Sequence, residues 1–417
     1  MLHLAHQTKM TKRIPPQIPI KANGVKKKGK RSSKKTAITL PILPQDVIFF
    51  SIFIHLPAQF LLLLRCLSRS SLLQIDNSHF ARNHADLASP RLLFFAFNHF
   101  HHAEATLLAL QINRGQHCRN RITAHQNFKL GNLIAHSILA SCNGLLLLRI
   151  AGPETRGVVI ANPVRKQWRM LPQPLRFSDP RWQSLYGFVF DTSSNQYKVV
   201  HLLHGGAGSL LCEVLTLGLL NEGWRLINAP IPTRPAAVIS ANCRPIRINQ
   251  ILYWVDGHCK KWPTTTVFDP SEHYIMSMDV GKEEFRRIRP PNDAKGLCRL
   301  LELGGYLAVL CFDESMVDIW VLQDYDGEVW VQKHDTRNKS LVKHLGFHGW
   351  GKHFELSASL HDDKVIVFRS WKKLFKYDLE LDCFAEVKTH YAYLGKTLKN
   401  AIISSPCVHV DTLIWPL

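Results

Sequence analysis

VVIANPVRKQWRMLP, residues 158–172, reads as an apolar strand, a polar turn, an aromatic residue and an exit through proline. That order recurs four times. It returns as CEVLTLGLLNEGWRLINAP (212–230), YIMSMDVGKEEFRRIRPP (274–291), DIWVLQDYDGEVWVQKHD (318–335) and LFKYDLELDCFAEV (374–387). The five aromatic residues, Trp168, Trp224, Phe285, Trp330 and Phe384, stand 56, 61, 45 and 54 residues apart. Further short apolar runs are punctuated by turn residues, as at 145–148 after Asn143-Gly144 and at 157–160 before Asn162-Pro163. Asp324–Glu328, DYDGE, carries the Asp-Gly pair of a hairpin turn.

A unit of about fifty residues built from short strands makes one small sheet, which cannot bury both faces alone. Radial stacking of neighbouring sheets solves this, and an aromatic residue in an outer strand then packs against the next sheet. The reading is a propeller-like β domain over 141–390. The uneven spacing leaves a series of β-sandwiches as the alternative.

Ahead of it stands LPQDVIFFSIFIHLPAQFLLLLRCLSRSSLLQIDNSHF, residues 43–80. Asp46 suits the first turn of a helix. Apolar residues follow to Leu56-Pro57, where proline stops the pattern. A second helix is expected from Ala58 to Arg69, with a break near Ser70-Ser71 or Asp76-Asn77-Ser78, giving a three-helix unit too small to bury much core alone. Two other readings are an apolar hairpin packed on the rest of the chain and a membrane span. The span needs about 20 apolar residues, whereas His55, Pro57 and Gln59 interrupt 47–64 and Arg65 follows it.

The expected fold class is therefore α+β, a short N-terminal helical module followed by a mainly-β, propeller-like domain. The expected divisions are a disordered basic tail (1–40), the helical module (41–84), a connecting region (85–140), the β domain (141–390) and a C-terminal tail (391–417).

The formal charge of +20 resembles a nucleic-acid signal until it is divided along the chain. Residues 1–40 hold 11 Lys/Arg and no Asp/Glu. Such a segment reads as a solvated tail, a nuclear-import signal or a nonspecific nucleic-acid patch. No aromatic residue interleaves Lys26 to Lys35 to offer base stacking, so nucleic acid is not the expected partner. Ten scattered cysteines without C-x-x-C suggest reduced, mostly buried thiols. Asn98-His99-Phe100-His101-His102 invites a metal reading, but no second ligand pair is near, and no metal or cofactor is expected. No G-x-S-x-G, H-E-x-x-H or G-x-x-x-x-G-K-S/T motif occurs, which leaves no expected active site.

The order Leu43-Pro44, Asp46, Ile52, Leu56-Pro57, Leu61, Leu62, Arg65-Cys66-Leu67-Ser68, Ile75 and Phe80 resembles the F-box, the adaptor-binding module of cullin-RING ubiquitin ligases. Three departures are visible. Eleven residues separate Pro44 from Leu56 where the family usually has ten, and one extra residue rotates a helix by about 100°. Ser71 stands where tryptophan is expected, and Leu63 where a polar residue is common. Downstream, SCNGLLLL (141–148), IANPVRKQWRMLP (160–172), YGFVFDTSSNQYKVV (186–200), INQILYWV (248–255), MSMDVGKEEFRRIRPP (276–291) and VDIWVLQDYDGEVWVQKHD (317–335) are similar to the plant F-box-associated, kelch-like domain.

The resemblance implies a non-catalytic receptor subunit of a ubiquitin ligase in the cytoplasm or nucleus. A Skp-type adaptor, and through it cullin and a RING subunit, would bind the helical module. An unknown target protein would bind the β domain. The implied adaptor-docking residues are Leu43, Pro44, Ile52, Leu56, Pro57, Leu61, Leu62 and Leu64. For the target, the loops at Arg176-Phe177-Ser178, Gly205 to Ser209, Lys260-Lys261-Trp262 and His348-Gly349-Trp350 are candidates, with Trp262 and Trp350 favoured as interface aromatics. The alternatives are a β-repeat interaction protein whose F-box no longer docks, and a nucleic-acid binder driven by the tail.

Overall fold

The computed structural model describes residues 43–97, 105–114, 121–124, 130, 133–151, 156–175, 184–204, 210–219, 222–228, 244–256, 274–295, 297–312, 317–336, 354–360, 364–370, 373–387, 402–404 and 406–415. Its contacts separate 1–44 from 45–417, and the helices and sheets below belong to the second unit. The basic segment, the histidine run at 98–102, Trp262 and Trp350 lie outside the described residues.

Four helical segments come first. A continuous run starts as α1 (Gln45–Val47), becomes a π turn (Ile48–Ile52) and ends as a 3-10 turn (Phe53–His55). Then follow α2 (Ala58–Leu64), α3 (Arg69–Ile75) and α4 (Ser78–Leu87). The expected second helix is thus divided. Ser68 stops it, its hydroxyl accepting the Ser71 N–H at 3.0 Å as the N-cap of α3. Asn77 caps α4 through the His79 and Phe80 N–H groups.

The strands form six sheets among the described residues. In chain order, β1 (Arg91–Phe97), β2 (Ala105–Gln111) and β3 (Arg121–Ala124) open an incomplete sheet. Blade I is β4 (Ile134–Cys142), β5 (Leu145–Ala151), β6 (Arg156–Asn162) and β7 (Gln167–Met170). Blade II is β8 (Ser184–Asp191), β9 (Gln196–His204), β10 (Leu210–Thr216) and β11 (Trp224–Ile227). Blade III is β12 (Ile246–Ile248), β13 (Ile251–Asp256), β14 (Tyr274–Asp279) and β15 (Glu284–Ile288). Blade IV is β16 (Leu297–Leu303), β17 (Tyr306–Phe312), β18 (Val317–Asp324) and β19 (Val329–Thr336). Blade V is β20 (Phe354–Leu360), β21 (Val365–Ser370), β22 (Lys373–Asp378) and β23 (Cys383–Glu386). Finally β24 (Ile402–Ile403) and β25 (Cys407–His409) pair antiparallel with β1 and complete blade VI. The result is a six-bladed β-propeller, closed by joining the two ends of the β domain in one sheet.

This closure corrects two expected divisions. The region 85–140 contains β1 to β3 and most of β4, and 391–417 contains β24 and β25. Both belong to the propeller. They escaped the repeat reading because blade VI is assembled from distant pieces and lacks a contiguous strand-turn-aromatic unit.

The five units recognised in the sequence coincide with the outer halves of blades I to V. Each aromatic anchor lies in an outermost strand, β7, β11, β15, β19 or β23. The anchors also tie neighbouring blades, since Trp224 donates its indole N–H to the Pro172 carbonyl at 2.8 Å and Trp330 to the Arg289 carbonyl at 2.9 Å. The turn into four of these strands repeats one chemistry. Asn162, Asp279, Asp324 and Asp378 each accept backbone N–H groups two or three residues ahead. The fifth residue, Lys166, Glu283, Glu328 or Asp382, takes positive φ of 45° to 60°. The side-chain acceptor organises the turn, and the left-handed residue reverses the chain into the last strand.

Between the blades lie continuous apolar layers, such as Leu145, Leu147, Ile160, Phe188, Val199 and Leu215 between blades I and II. The four leucines of 145–148 are fully buried on both sheet faces, as their unbroken apolar run requires. Cys298 and Cys311 are joined by a disulfide across neighbouring strands β16 and β17, so the expectation of uniformly reduced thiols does not hold for this pair. No helix among the described residues is long and apolar enough to cross a membrane.

Candidate functional site

The extra residue before Leu56 is absorbed locally. At the end of the π turn the Phe53 N–H reaches back to both the Ile48 and the Phe49 carbonyls. Positions five apart stand about 140° apart around an ideal α-helix, whereas an i→i+5 turn stacks them. Phe49 and Ile54 consequently enter the same core, with Ala58, Leu61, Ile75, Phe80 and Ala81. Ser71 leaves no broken core either, because its backbone N–H and its hydroxyl both bond Ser68 at the start of α3.

The proposed docking residues separate into three groups. Leu43, Pro44, Ile52 and Pro57 are exposed. Leu56, Leu62 and Leu64 are half-buried against the module's core. Leu61 is fully buried, which corrects its assignment as a docking residue, since a partner cannot reach it without unfolding the module. On α2, Ala58 and Leu61 point inward while Phe60 and Leu63 point outward, 58% and 68% exposed. Leu67 and Leu73, 72% and 65% exposed, and Ile52, 45% exposed, are further apolar residues of the module left in solvent. Sequence reasoning missed Phe60, Leu63, Leu67 and Leu73. The signal was Phe60 to Leu64, apolar all round over one helical turn and therefore certain to leave some members outside. Such exposed apolar surface marks an interaction face.

The module is fastened to the propeller through the segment 411–415. Gln59 donates to Asp411 at 2.7 Å, and Leu413 enters the module's core beside Val164 of blade I. The Asn162 amide donates to the Thr412 and Ile414 carbonyls, and Arg165 donates to the Leu413 carbonyl at 2.8 Å. Asp76, at the end of α3, receives Arg65 at 2.6 Å and Arg165 at 3.3 Å. His84 of α4 bonds the Leu56 carbonyl at 2.7 Å inside the module.

These contacts select one propeller face. In an antiparallel blade the first and third turns emerge on one face, and the second turn and the interblade connection on the other. The module meets the third turn of blade I at Val164 and Arg165, and the first turn of blade II, where Arg82 reaches Asn195 at 3.4 Å. Beside Asn195, burial alone would raise the Asp191 carboxyl. Lys198 at 2.8 Å and the Ser193 and Ser194 donors nevertheless hold it well below the usual carboxylate range. All four candidate target loops join strand ends on the opposite face, between β7 and β8, β9 and β10, β13 and β14, and β19 and β20. Their quoted residues lie outside those described.

A family model described as the F-box associated beta propeller domain matches residues 91–376. The chain belongs to the F-box associated beta propeller family. Its relatives are F-box proteins of a plant. The putative F-box protein At4g21240 of Arabidopsis thaliana is 27% identical over 75% of this chain and 72% of its own length. The putative F-box protein At3g52320 from the same plant is 25% identical over 93% of this chain and 98% of its own. The F-box/kelch-repeat protein At3g23880, also from Arabidopsis thaliana, is 26% identical over 47% of this chain and 50% of its own. The matched range begins at β1, in agreement with a propeller that starts at Arg91 and includes most of the expected connecting region 85–140. This F-box protein thus carries its helical module directly before a six-bladed F-box associated propeller.

Proposed function

We propose that this F-box protein is the target-recognition subunit of a Skp-cullin-F-box ubiquitin ligase. The observation that carries the reading is the exposure of the apolar residues Ile52, Phe60, Leu63, Leu67 and Leu73 on a helical module fastened to an F-box associated propeller. A Skp-type adaptor covers exposed apolar residues of the module and links the chain to cullin and its RING subunit. The propeller holds the target protein on the face away from the module. The chain itself contributes no nucleophile. It accelerates ubiquitin transfer by proximity, making attack on the thioester effectively unimolecular. In this reading the basic segment 1–40 serves nuclear entry, and the complex works in cytoplasm or nucleus.

The test is co-purification of the full chain with a Skp-type adaptor, wild type against Phe60→Glu/Leu63→Glu. Stoichiometric binding lost in the variant supports the reading. A folded wild-type chain that fails to bind replaces it with a second one, a β-repeat interaction protein whose F-box no longer docks. The departure at Ser71, which stands where the F-box order has tryptophan, favours that second reading.

A further inference from the structure

The register of the first hairpin of blade IV sets Cys298 of β16 directly opposite Cys311 of β17, and a disulfide joins them. Among the described cysteines, Cys66, Cys142, Cys212, Cys383 and Cys407 carry free thiols, so bonding is confined to the pair that the sheet aligns. Both bonded residues are buried in an apolar layer with Ile275 and Ile288 of blade III and Leu300 and Val309 of blade IV. Two strands of one sheet are thus tied covalently where they pack on the neighbouring blade.

Position along the hairpin decides what the bond can do. Gly304 and Gly305, with φ of 64° and 77°, reverse the chain in the first turn of blade IV, which belongs to the face that carries the helical module. The disulfide lies at the other end of the ladder, on the face given to the target. Beyond it one pair remains, Leu297 with Phe312. A bond that is buried in the closed blade is therefore reached by opening that terminal pair, and strand ends open at far lower free energy than whole sheets. Exchange there is slower than at an exposed thiol such as Cys66, yet it leaves the propeller folded. When the bond is closed, β16 and β17 cannot part at the target end. When it is open, hydrogen bonds and the apolar layer alone hold them.

Disulfides of cytosolic and nuclear proteins are mostly transient, catalytic or redox-sensing, because glutathione and thioredoxin keep thiols reduced there. We propose that Cys298 and Cys311 form a reversible thiol–disulfide site that, when oxidised, stiffens the target-side end of blade IV. The co-reactant is a small-molecule disulfide such as glutathione disulfide. One protein thiolate attacks a sulfur of that molecule, which forms a mixed disulfide and releases one glutathione thiolate. The second protein thiolate then attacks the protein sulfur of the mixed disulfide and releases the other glutathione. Two electrons pass from the cysteine pair to glutathione disulfide, and the two protein thiol protons are balanced by protonation of the released thiolates. Reduction runs the same steps backwards. The reducing compartment and the placement on the target's face rest on the target-recognition reading, whereas the alignment of the two cysteines does not.

The test equilibrates the folded full chain in glutathione buffers of graded reduced-to-oxidised ratio, quenches with an alkylating agent and follows Cys298 and Cys311 by peptide mass spectrometry. The expected result is one joint transition, from both residues alkylated to both joined. Amide hydrogen exchange at the Cys298 and Cys311 ends of β16 and β17 should slow on oxidation. The oxidised chain should also melt about 5 °C or more above the reduced one, since a cross-link constrains the unfolded state. Cys298→Ala/Cys311→Ala should abolish that difference. Alkylation of both residues in every buffer, a bond that survives the most reducing buffer, or amide exchange that ignores oxidation overturns the proposal. So does a melting difference that persists in the double variant, and where that variant fails to fold, the transition and the amide exchange of the wild-type chain decide. Adaptor binding is measured on the same preparations. Binding by a chain whose cysteine pair does not exchange sinks only the redox site, whereas exchange in a folded chain that binds no adaptor sinks only the ligase reading.

Discussion

A β-carbon on Gly144 would lie 2.0 Å from the Thr412 hydroxyl oxygen. The first turn of blade I and the segment 411–415 are therefore packed as closely as backbone and side chain allow. Thr412 is fully buried there and donates its hydroxyl to the Asn143 carbonyl at 2.9 Å. Through this seam the last described residues of the chain hold the helical module against the propeller.

Gly144→Ala should consequently destabilise the protein, both by overlap with Thr412 and because φ of +77° disfavours any side chain. The expected cost is about 1–3 kcal/mol, the range for overpacking a filled site. Thermal unfolding measures it. An unchanged melting temperature would mean that the seam yields without cost.

Buried and exposed leucines of α2 should respond differently. Leu61→Ala empties a fully enclosed position and should cost about 2–5 kcal/mol of stability. Leu63→Glu should leave the melting temperature near wild type while weakening adaptor binding. If Leu63→Glu unfolds the module instead, the outward orientation of this residue is wrong.

The π turn makes a prediction of its own. Removing the exposed Ser51 brings Phe49 and Ile54 to a spacing of four, which an ordinary α-helix places on one face. The deletion variant should fold, retain the module's core and convert the i→i+5 turn into an α turn. Backbone amide chemical shifts across 47–55 report the change. Loss of the folded module would show that the π turn does more than absorb a residue.

Blades V and VI are clasped by Arg114, which donates to both Asp378 carboxylate oxygens at 2.9 Å and to Glu380 at 2.8 Å. The Arg114 bond is the main cause holding the buried Asp378 carboxyl below its ordinary value, against the opposing effect of burial. A carboxyl depressed on folding stabilises the native state above its unfolded value, near pH 4, and that contribution fades as pH falls through the lower folded value. Arg114→Ala should thus lower the melting temperature at pH 7 and lose less on acidification below pH 4 than the wild type. Parallel pH curves for the two proteins would remove the clasp from the account of acid stability.

Much of the propeller was legible in the sequence because its information is local. An Asn or Asp followed by a left-handed residue and an outer-strand aromatic specifies one turn in four blades, whatever lies elsewhere in the chain. The caps at Ser68 and Asn77 are local in the same sense, although the first was displaced from the expected break. The continuous apolar run Phe60 to Leu64 named a helix without saying which side faced inward. Only packing against Ile75 and Phe80 turned Leu61 to the core and left Leu63 in solvent.

The sequence by itself determined the strand-turn units and a helical module ahead of them, because hydrogen bonding within a few residues decides turns and helix ends. Tertiary structure decided the rest. It closed blade VI with β1 to β3 from one end and β24 and β25 from the other, and made 411–415 the seam between module and propeller. These pairings join residues up to about three hundred positions apart, as with Leu93 and Cys407. No local propensity encodes such contacts. They are selected by the need to pair every inner strand edge and to bury the apolar faces of all six sheets at once.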